Sequence, residues 1–265
     1  MTQTFTAYHR AIWLSDLHLG EKHCKAEYLL AFLEKHHAEQ LFLVGDVVDM
    51  QALSRRHYWP ETHQQVFETL RQRARNGCKV IYIPGNHDMQ MRQYVGGAFD
   101  LIEIHQQYIY QSPHHGRLLL LHGDEFDRLL CSSKLEAWFG DRAYDLVLFL
   151  NRIWNLFRRS VGWQYQSVAR MLKRCSSKAE RAMARFRNAA LQRAIEADVD
   201  GIVCGHIHFP ELLEQNGKLY INTGDWVENC TAVIEHLDGR LELNHYSEAK
   251  KPLSRLVPQQ AVVTG

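Results

Sequence analysis

Apolar residues come in short runs along this chain, and most runs stop at an aspartate, a histidine or a glycine. Residues 11–15 form such a run, ending at Asp16, and read as a buried strand. Residues 25–37 change to helical spacing, with Tyr28, Leu29, Phe32 and Leu33 on one face. A second strand at 41–44 ends at Gly45-Asp46. Residues 61–76 are helical again, with Val66, Phe67, Leu70 and Ala74 inward and Gly77 placed as the C-terminal cap. A third strand, 79–83, is stopped by Pro84-Gly85. Strand–helix–strand–helix–strand predicts a parallel sheet with right-handed crossovers. After Gly97 the strands shorten, at 101–104, 108–111, 118–121, 199–204, 218–222, 231–237 and 241–246. They predict a second sheet packed on the first. Between Asp124 and Val199 the pattern is helical, and the tail from 247 to 265 has no period and is expected to be loose.

The loops carry the chemistry. Asp16-Leu17-His18, Gly45-Asp46-Val47-Val48-Asp49, Gly85-Asn86-His87-Asp88, His122-Gly123-Asp124 and Gly205-His206-Ile207-His208 each follow a predicted strand. Open α/β sheets place ligands outside the carboxyl ends of their strands, which puts Asp16, Asp46 and Asn86 in one site. In extended segments Asp16 and His18 would point the same way, as would His206 and His208. Mixed carboxylate, imidazole and amide ligands suit manganese, iron or zinc rather than calcium. Two such cations roughly 3.5–4 Å apart would lower the pKa of water between them and neutralise the attacking and leaving oxygens. His114 and His115 compete with His122 for its place.

The order and residue types of these segments resemble the calcineurin-like metallophosphoesterases, whose signature runs D-x-H, G-D-x-x-D, G-N-H-[DE], a later strand-end histidine and G-H-x-H. The resemblance spans roughly residues 10–246 and implies two packed mixed β-sheets flanked by helices. That fold would be a single α/β domain over 1–265, with a helical lid inserted at about 126–196. It also implies a first metal held by Asp16, His18, Asp46 and His208, and a second by Asp46, Asn86, His122 and His206, with Asp46 bridging. His87 would face the leaving group, either as proton donor oriented by Asp88 or as a substrate contact without proton transfer. Asp49 resembles an outer carboxylate. Asn86, His87, Asp127 and His206 are the expected substrate contacts, and two divalent ions, manganese first, the expected cofactors.

The helical insertion and the segment Asn222-Thr223-Gly224-Asp225-Trp226-Val227-Glu228 resemble the branch containing UDP-2,3-diacylglucosamine pyrophosphatases. That branch implies hydrolysis of a UDP-linked lipid to UMP and a diacylglucosamine 1-phosphate. Its members in lipid A synthesis commonly carry Arg where this chain has His87. The rival readings are a phosphatase or phosphodiesterase for a soluble nucleotide or another phospholipid, and a binding scaffold without turnover.

Composition narrows the setting. The 265 residues are 46% hydrophobic and 23% charged, with a net charge of +1, as in an ordinary soluble globular protein and not a nucleic-acid binder. Six scattered cysteines form no C-x-x-C pair, and residues 1–10 hold no apolar h-region, so a reducing, cytoplasmic setting is expected. Residues 128–193 hold 14 Lys and Arg against 4 Asp and Glu, a net of +10. Trp138, Phe149, Trp154 and Phe157 lie among Arg152, Arg158 and Arg159 there. Either this stretch packs on the core, or it takes a lipid chain and docks peripherally on the anionic inner membrane.

Overall fold

The computed structural model describes residues 7–127, 177–246 and 254–256. Two sheets face each other. The first runs β13-β12-β11-β1-β2-β3-β5-β4 and the second β6-β7-β8-β10-β9. The first is built from β1 (Ala7–Leu14), β2 (His36–Val44), β3 (Lys79–Ile83), β4 (Ala98–Phe99), β5 (Ile102–Ile104), β11 (Thr231–Glu235), β12 (Leu241–His245) and β13 (Ser254–Leu256). The second holds β6 (Tyr108–Ser112), β7 (Gly116–Leu120), β8 (Gly201–Cys204), β9 (Glu211–Gln215) and β10 (Lys218–Asn222). β1, β2 and β3 are parallel, as the sequence predicts; β5, β11 and β12, expected in the second sheet, instead extend this one, β5 pairing parallel with β3 and β11 antiparallel with β1, so the first sheet is mixed.

Alternation along the strands makes the layers. Ile12 and Leu14 of β1 face outward with Leu41, Leu43 and Val80, under α1 (Ala26–Lys35) and α3 (Glu61–Arg75). Trp13, Phe42 and Ile81 face inward and meet Tyr110, Leu118 and Val203 of the second sheet. Trp13 stacks on Phe42, ring centroids 5.8 Å apart, and meets Tyr110 edge-on at 5.5 Å. The outer face of the second sheet, with Leu119, Ile202 and Tyr220, is covered by Phe186, Ala190 and Ala194 of α4 (Ser177–Glu196). Helices thus flank two packed sheets. None of the described helices is long and apolar enough to cross a membrane.

α3 ends as its sequence predicts. Gly77 takes φ +92°, its N–H reaches the Ala74 carbonyl at 3.2 Å, and Cys78 N–H reaches that of Arg73 at 3.1 Å. Other boundaries differ. The helix read over 25–37 stops at Lys35, because His36 is already extended and begins β2. The short α2 (Met50–Arg55) was not expected; Asp49 caps it, accepting from Ala52 N–H at 2.7 Å. β9 reads Glu-Leu-Leu-Glu-Gln, without clean alternation, and is a strand because β10 pairs with it. In the tail, Ser254–Leu256 pairs with β12 rather than hanging loose. The aromatic stretch of the basic insertion, including Trp138, Phe149 and Trp154, lies outside the described residues.

Candidate metal centre

Five loops leave the carboxyl ends of β1, β2, β3, β7 and β8 and tie to one another through their backbones. Asp16 N–H meets the Gly45 carbonyl at 3.0 Å, His18 N–H that of Asp46 at 2.9 Å, and Gly205 N–H that of His122 at 3.0 Å. The turns are sharp. Asp16, His18, Asp46, His206 and His208 all hold positive φ, between 49° and 70°. Side chains rarely sit there, since the left-handed region costs roughly 1–2 kcal/mol per residue. The extended geometry expected for Asp16 and His18, and for His206 and His208, is therefore corrected: the chain turns at each residue, and no alternation aligns the pairs.

The turns still bring most of the predicted ligands together. His208 Nε2 lies 3.2 Å from Asp16 Oδ1, and His18 Nε2 lies 3.3 Å from His208 Nε2. Beside them, His122 Nε2 is 3.3 Å from Asp46 Oδ2 and 3.2 Å from Asn86 Oδ1. Asp46 Oδ2 joins the groups, being also 3.8 Å from His18 Nε2. Its other oxygen, Oδ1, accepts the His87 N–H at 2.8 Å. Asp16, His18 and His208 form one group whose ligand atoms lie within 4.8 Å of one another, and Asp16, Asp46 and His122 form a second.

Ring orientation follows from outer contacts. His122 Nδ1 faces the Val44 carbonyl at 3.0 Å, and His18 Nδ1 faces Asp49 Oδ2 at 3.0 Å. Both rings are thus held with Nε2 toward the shared space. Glycine makes room for them. A Cβ on Gly45 would lie 2.0 Å from His122 Nδ1, and one on Gly85 would lie 2.2 Å from Asp46 Oδ1.

The electrostatics are those of a cation site. Burial opposes charge on His18, yet its contact with Asp49 and the fields of Asp46 and Asp16 raise its pKa to about 9. Burial likewise opposes charge on His122, and Asp46 outweighs it, lifting that pKa to about 10. Burial pushes Asp16 and Asp46 up, but His208 holds Asp16 down and His122 holds Asp46 well down. Asp16 Oδ1 is buried with no hydrogen-bond partner, in front of two imidazole nitrogens. An orphaned carboxylate oxygen among outward-facing Nε2 atoms fits a divalent cation.

Asp88 does not orient His87. It is fully buried, and its carboxylate takes Gly85 N–H at 2.6 Å, Val47 N–H at 2.7 Å and Tyr82 hydroxyl at 2.5 Å. Burial, then the nearby Asp46, raises its pKa. The carboxylate beside His87 is Asp49, whose Oδ2 lies 3.0 Å from His87 Nδ1 as well as from His18. His206 stands next to His122, ring centroids 5.1 Å apart, but its Nε2 is 2.5 Å from Asp127 Oδ1. Asp127, an expected substrate contact, lies against His206.

Ser15 also stands against these ligands, without a sequence signal. Its hydroxyl donates to Asp16 Oδ2 and lies 2.5 Å from Thr223 Oγ1. A serine beside a ligand-type aspartate carries no pattern of its own.

Residues 9–210 match the calcineurin-like phosphoesterase family. Proteins named UDP-2,3-diacylglucosamine hydrolase are similar along most of the chain. The one from Neisseria meningitidis serogroup A is 26% identical over 247 residues, covering 86% of this chain and 94% of that protein. The one from Neisseria gonorrhoeae is 26% identical over 246 residues, covering 86% and 93%. Among solved structures, the chain is similar to a Vps29 mutant from Entamoeba histolytica, with 12% identity, TM-score 0.49 and coverage of 93% and 97%. It is also similar to YfcE, an E. coli phosphoesterase, with 15% identity, TM-score 0.48 and coverage of 94% and 99%. With the family match spanning most of its length, this chain belongs to the calcineurin-like phosphoesterases and is a metal-dependent phosphoester hydrolase.

Proposed function

We propose that the protein uses two divalent ions to hydrolyse the pyrophosphate of a UDP-linked diacylated glucosamine, giving UMP and the lipid sugar 1-phosphate. Asp16, His18, Asp46 and His208 would hold one ion, and Asp46, Asn86, His122 and His206 the other. Manganese is the first candidate, with iron and zinc behind it. When bound, the ions supply Lewis acidity toward phosphoryl oxygens. The observation that carries the reading is Asp46 Oδ2, which faces His122 on one side and His18 on the other.

The rest is work for this chain's own side chains. His87 is about one-third exposed at the mouth of the site, with Asp49 against Nδ1. Its Nε2 is the atom free to give a proton to the leaving oxygen. Asp49 would keep that ring turned and hold its proton. Asn86 and His206 would meet the phosphate, and Asp127 would act by holding His206. The relatives named for UDP-2,3-diacylglucosamine support the substrate class, and the basic insertion of net charge +10 supports contact with an anionic membrane surface on the cytoplasmic side.

A soluble nucleotide substrate is the second reading, favoured by His87 standing where the lipid A enzymes commonly carry Arg. The test compares protein reconstituted with Mn²⁺, Fe²⁺ or Zn²⁺ on UDP-2,3-diacylglucosamine, UDP-N-acetylglucosamine and an aryl phosphodiester. UMP released far faster from the diacylated substrate is expected. Equal rates on both UDP-sugars sink the lipid assignment, and no metal-dependent turnover of any of the three sinks the hydrolase.

A further inference from the structure

One loop holds the first metal group from behind without reaching the metal space itself. Residues 222–229, Asn-Thr-Gly-Asp-Trp-Val-Glu-Asn, run from the end of β10 to just before β11. Asp225 is fully buried and gathers the loop. Its Oδ1 accepts the N–H groups of Val227 at 2.8 Å, of Asn229 at 3.2 Å and of Glu228. Its Oδ2 accepts from the side-chain amide of Asn229. That amide has a second proton, and it goes to the carbonyl of His208 at 3.0 Å.

The same loop grips two further points. Asn222 Nδ2 donates to the Gly205 carbonyl at 2.7 Å, and Trp226 N–H donates to the Asp16 carbonyl at 3.0 Å. Main chain is therefore pinned at both ends of Gly205-His206-Ile207-His208 and at Asp16. His208 and Asp16 hold positive φ, 49° and 52°. Such conformations persist only where the surroundings over-determine them.

We propose that Asn229, itself held by Asp225, is a positioning residue for the first ion, fixing the His208 backbone so that its imidazole stays on Asp16 Oδ1. Without Asn229 the His208 carbonyl loses a buried donor. That loss weakens one hold on the left-handed backbone of His208, and with it the placement of the ring on Asp16. Asp16 is common to both groups and keeps its own hold from Trp226 N–H, while Asp46 and His122 of the second group are set away from this contact, by the His87 amide and the Val44 carbonyl. The effect of losing Asn229 should therefore fall on one ion. This rests on the two-metal reading above.

The test uses the full chain, stripped with chelator and titrated with Co²⁺, whose visible spectrum reports coordination, and then with Mn²⁺ by calorimetry. Asn229→Ala should bind its second-group ion as the wild type does and its first-group ion about 10–100-fold more weakly, the usual effect of removing an outer partner of a metal ligand. Ser112→Ala is the control. It removes a buried hydrogen bond of 2.7 Å to Glu235, a residue with no part in either group, and should lower Tm while leaving both affinities alone. If Asn229→Ala does not fold, Asn229→Ser keeps a hydroxyl for Asp225 but has no second donor for His208, and should show the same one-ion loss. Wild-type affinity for both ions in the Asn229 variant, or equal weakening of both, overturns the proposal. A wild type that takes up only one ion sinks the two-metal reading; the positioning role is then judged on that ion, and unchanged affinity overturns it too.

Discussion

Asp49→Asn changes one atom type and should disable two histidines. Asp49 Oδ2 sits 3.0 Å from Nδ1 of both His18 and His87, while Oδ1 caps α2 at 2.7 Å. Burial pushes this carboxyl up, but His18 and His87 outweigh it and hold its pKa far below the usual range. An asparagine has two poses. If its oxygen keeps the helix cap, its NH₂ points at two ring N–H groups and forces His18 to move its proton to Nε2, the nitrogen that faces Asp16, Asp46 and His208. If it flips, its NH₂ meets the Ala52 N–H and the cap is lost, worth roughly 0.5–2 kcal/mol. In the first pose the first ion should bind about 10–100-fold more weakly, or about 1.4–2.7 kcal/mol. In either pose His87 loses its anionic partner, so turnover at saturating metal should still fall. Metal titration followed by kcat at saturating Mn²⁺ separates the two effects. Wild-type affinity together with wild-type kcat would refute the shared role of Asp49.

Asp46→Ala should remove both ions and nearly all activity, because Asp46 Oδ2 faces His122 on one side and His18 on the other; two ions retained per chain by metal analysis would sink the bridge. His87→Ala should keep its metals and slow turnover by about 10²–10⁴, with a smaller loss on nitrophenyl esters, whose leaving group needs no proton; equal losses would make His87 a binding residue. Away from the site, burial and then His36 and His236 lower the pKa of His9 to about 4, and burial lowers His36 to about 4 as well. Histidines kept neutral by the fold stabilise it above pH 6.5, and that contribution drains as pH falls from 6.5 to about 4, on the order of 1–3 kcal/mol for His9. His9→Gln should flatten the loss of Tm between pH 7 and 5; an unchanged slope would refute this.

What could be read in the sequence was whatever the residue type itself declares. The β1–α1–β2 and α3–β3 units follow from apolar periodicity, and the five loops follow from ligand-type residues after those strands. The site's inner arrangement was not legible, because it depends on contacts across the fold. Asp88 and Asp49 look alike in sequence, each a carboxylate close after a strand end. Only the packing decides that Asp88 meets Tyr82 and backbone amides while Asp49 meets two imidazoles. The turns at Asp16, His18, Asp46, His206 and His208 were hidden for the same reason. Glycine would signal a left-handed turn, and these positions carry the ligand side chains instead.

That arrangement fixes how metal and protons compete. Asp16, Asp46, Asp49 and Asp88 are all buried in one small region. Only Asp88 is raised, by its burial and then by the nearby Asp46, which together outweigh its hydrogen bonds and the pull of His122. The other three are lowered, and the counterpart is the rise of His18 to about 9 and His122 to about 10. At neutral pH the metal-free site therefore holds protons where cations belong. A raised histidine stabilises the metal-free fold below pH 6.5 and loses that contribution as pH climbs through 9 to 10. Metal uptake must displace these protons, so affinity should rise with pH over the same span. Adding Mn²⁺ to the chelator-stripped protein at pH 7.5 in weak buffer with an indicator dye should release about two protons per chain. Saturation with two ions and no proton release would mean that His18 and His122 enter the site already neutral, and the electrostatic account of the centre would fail.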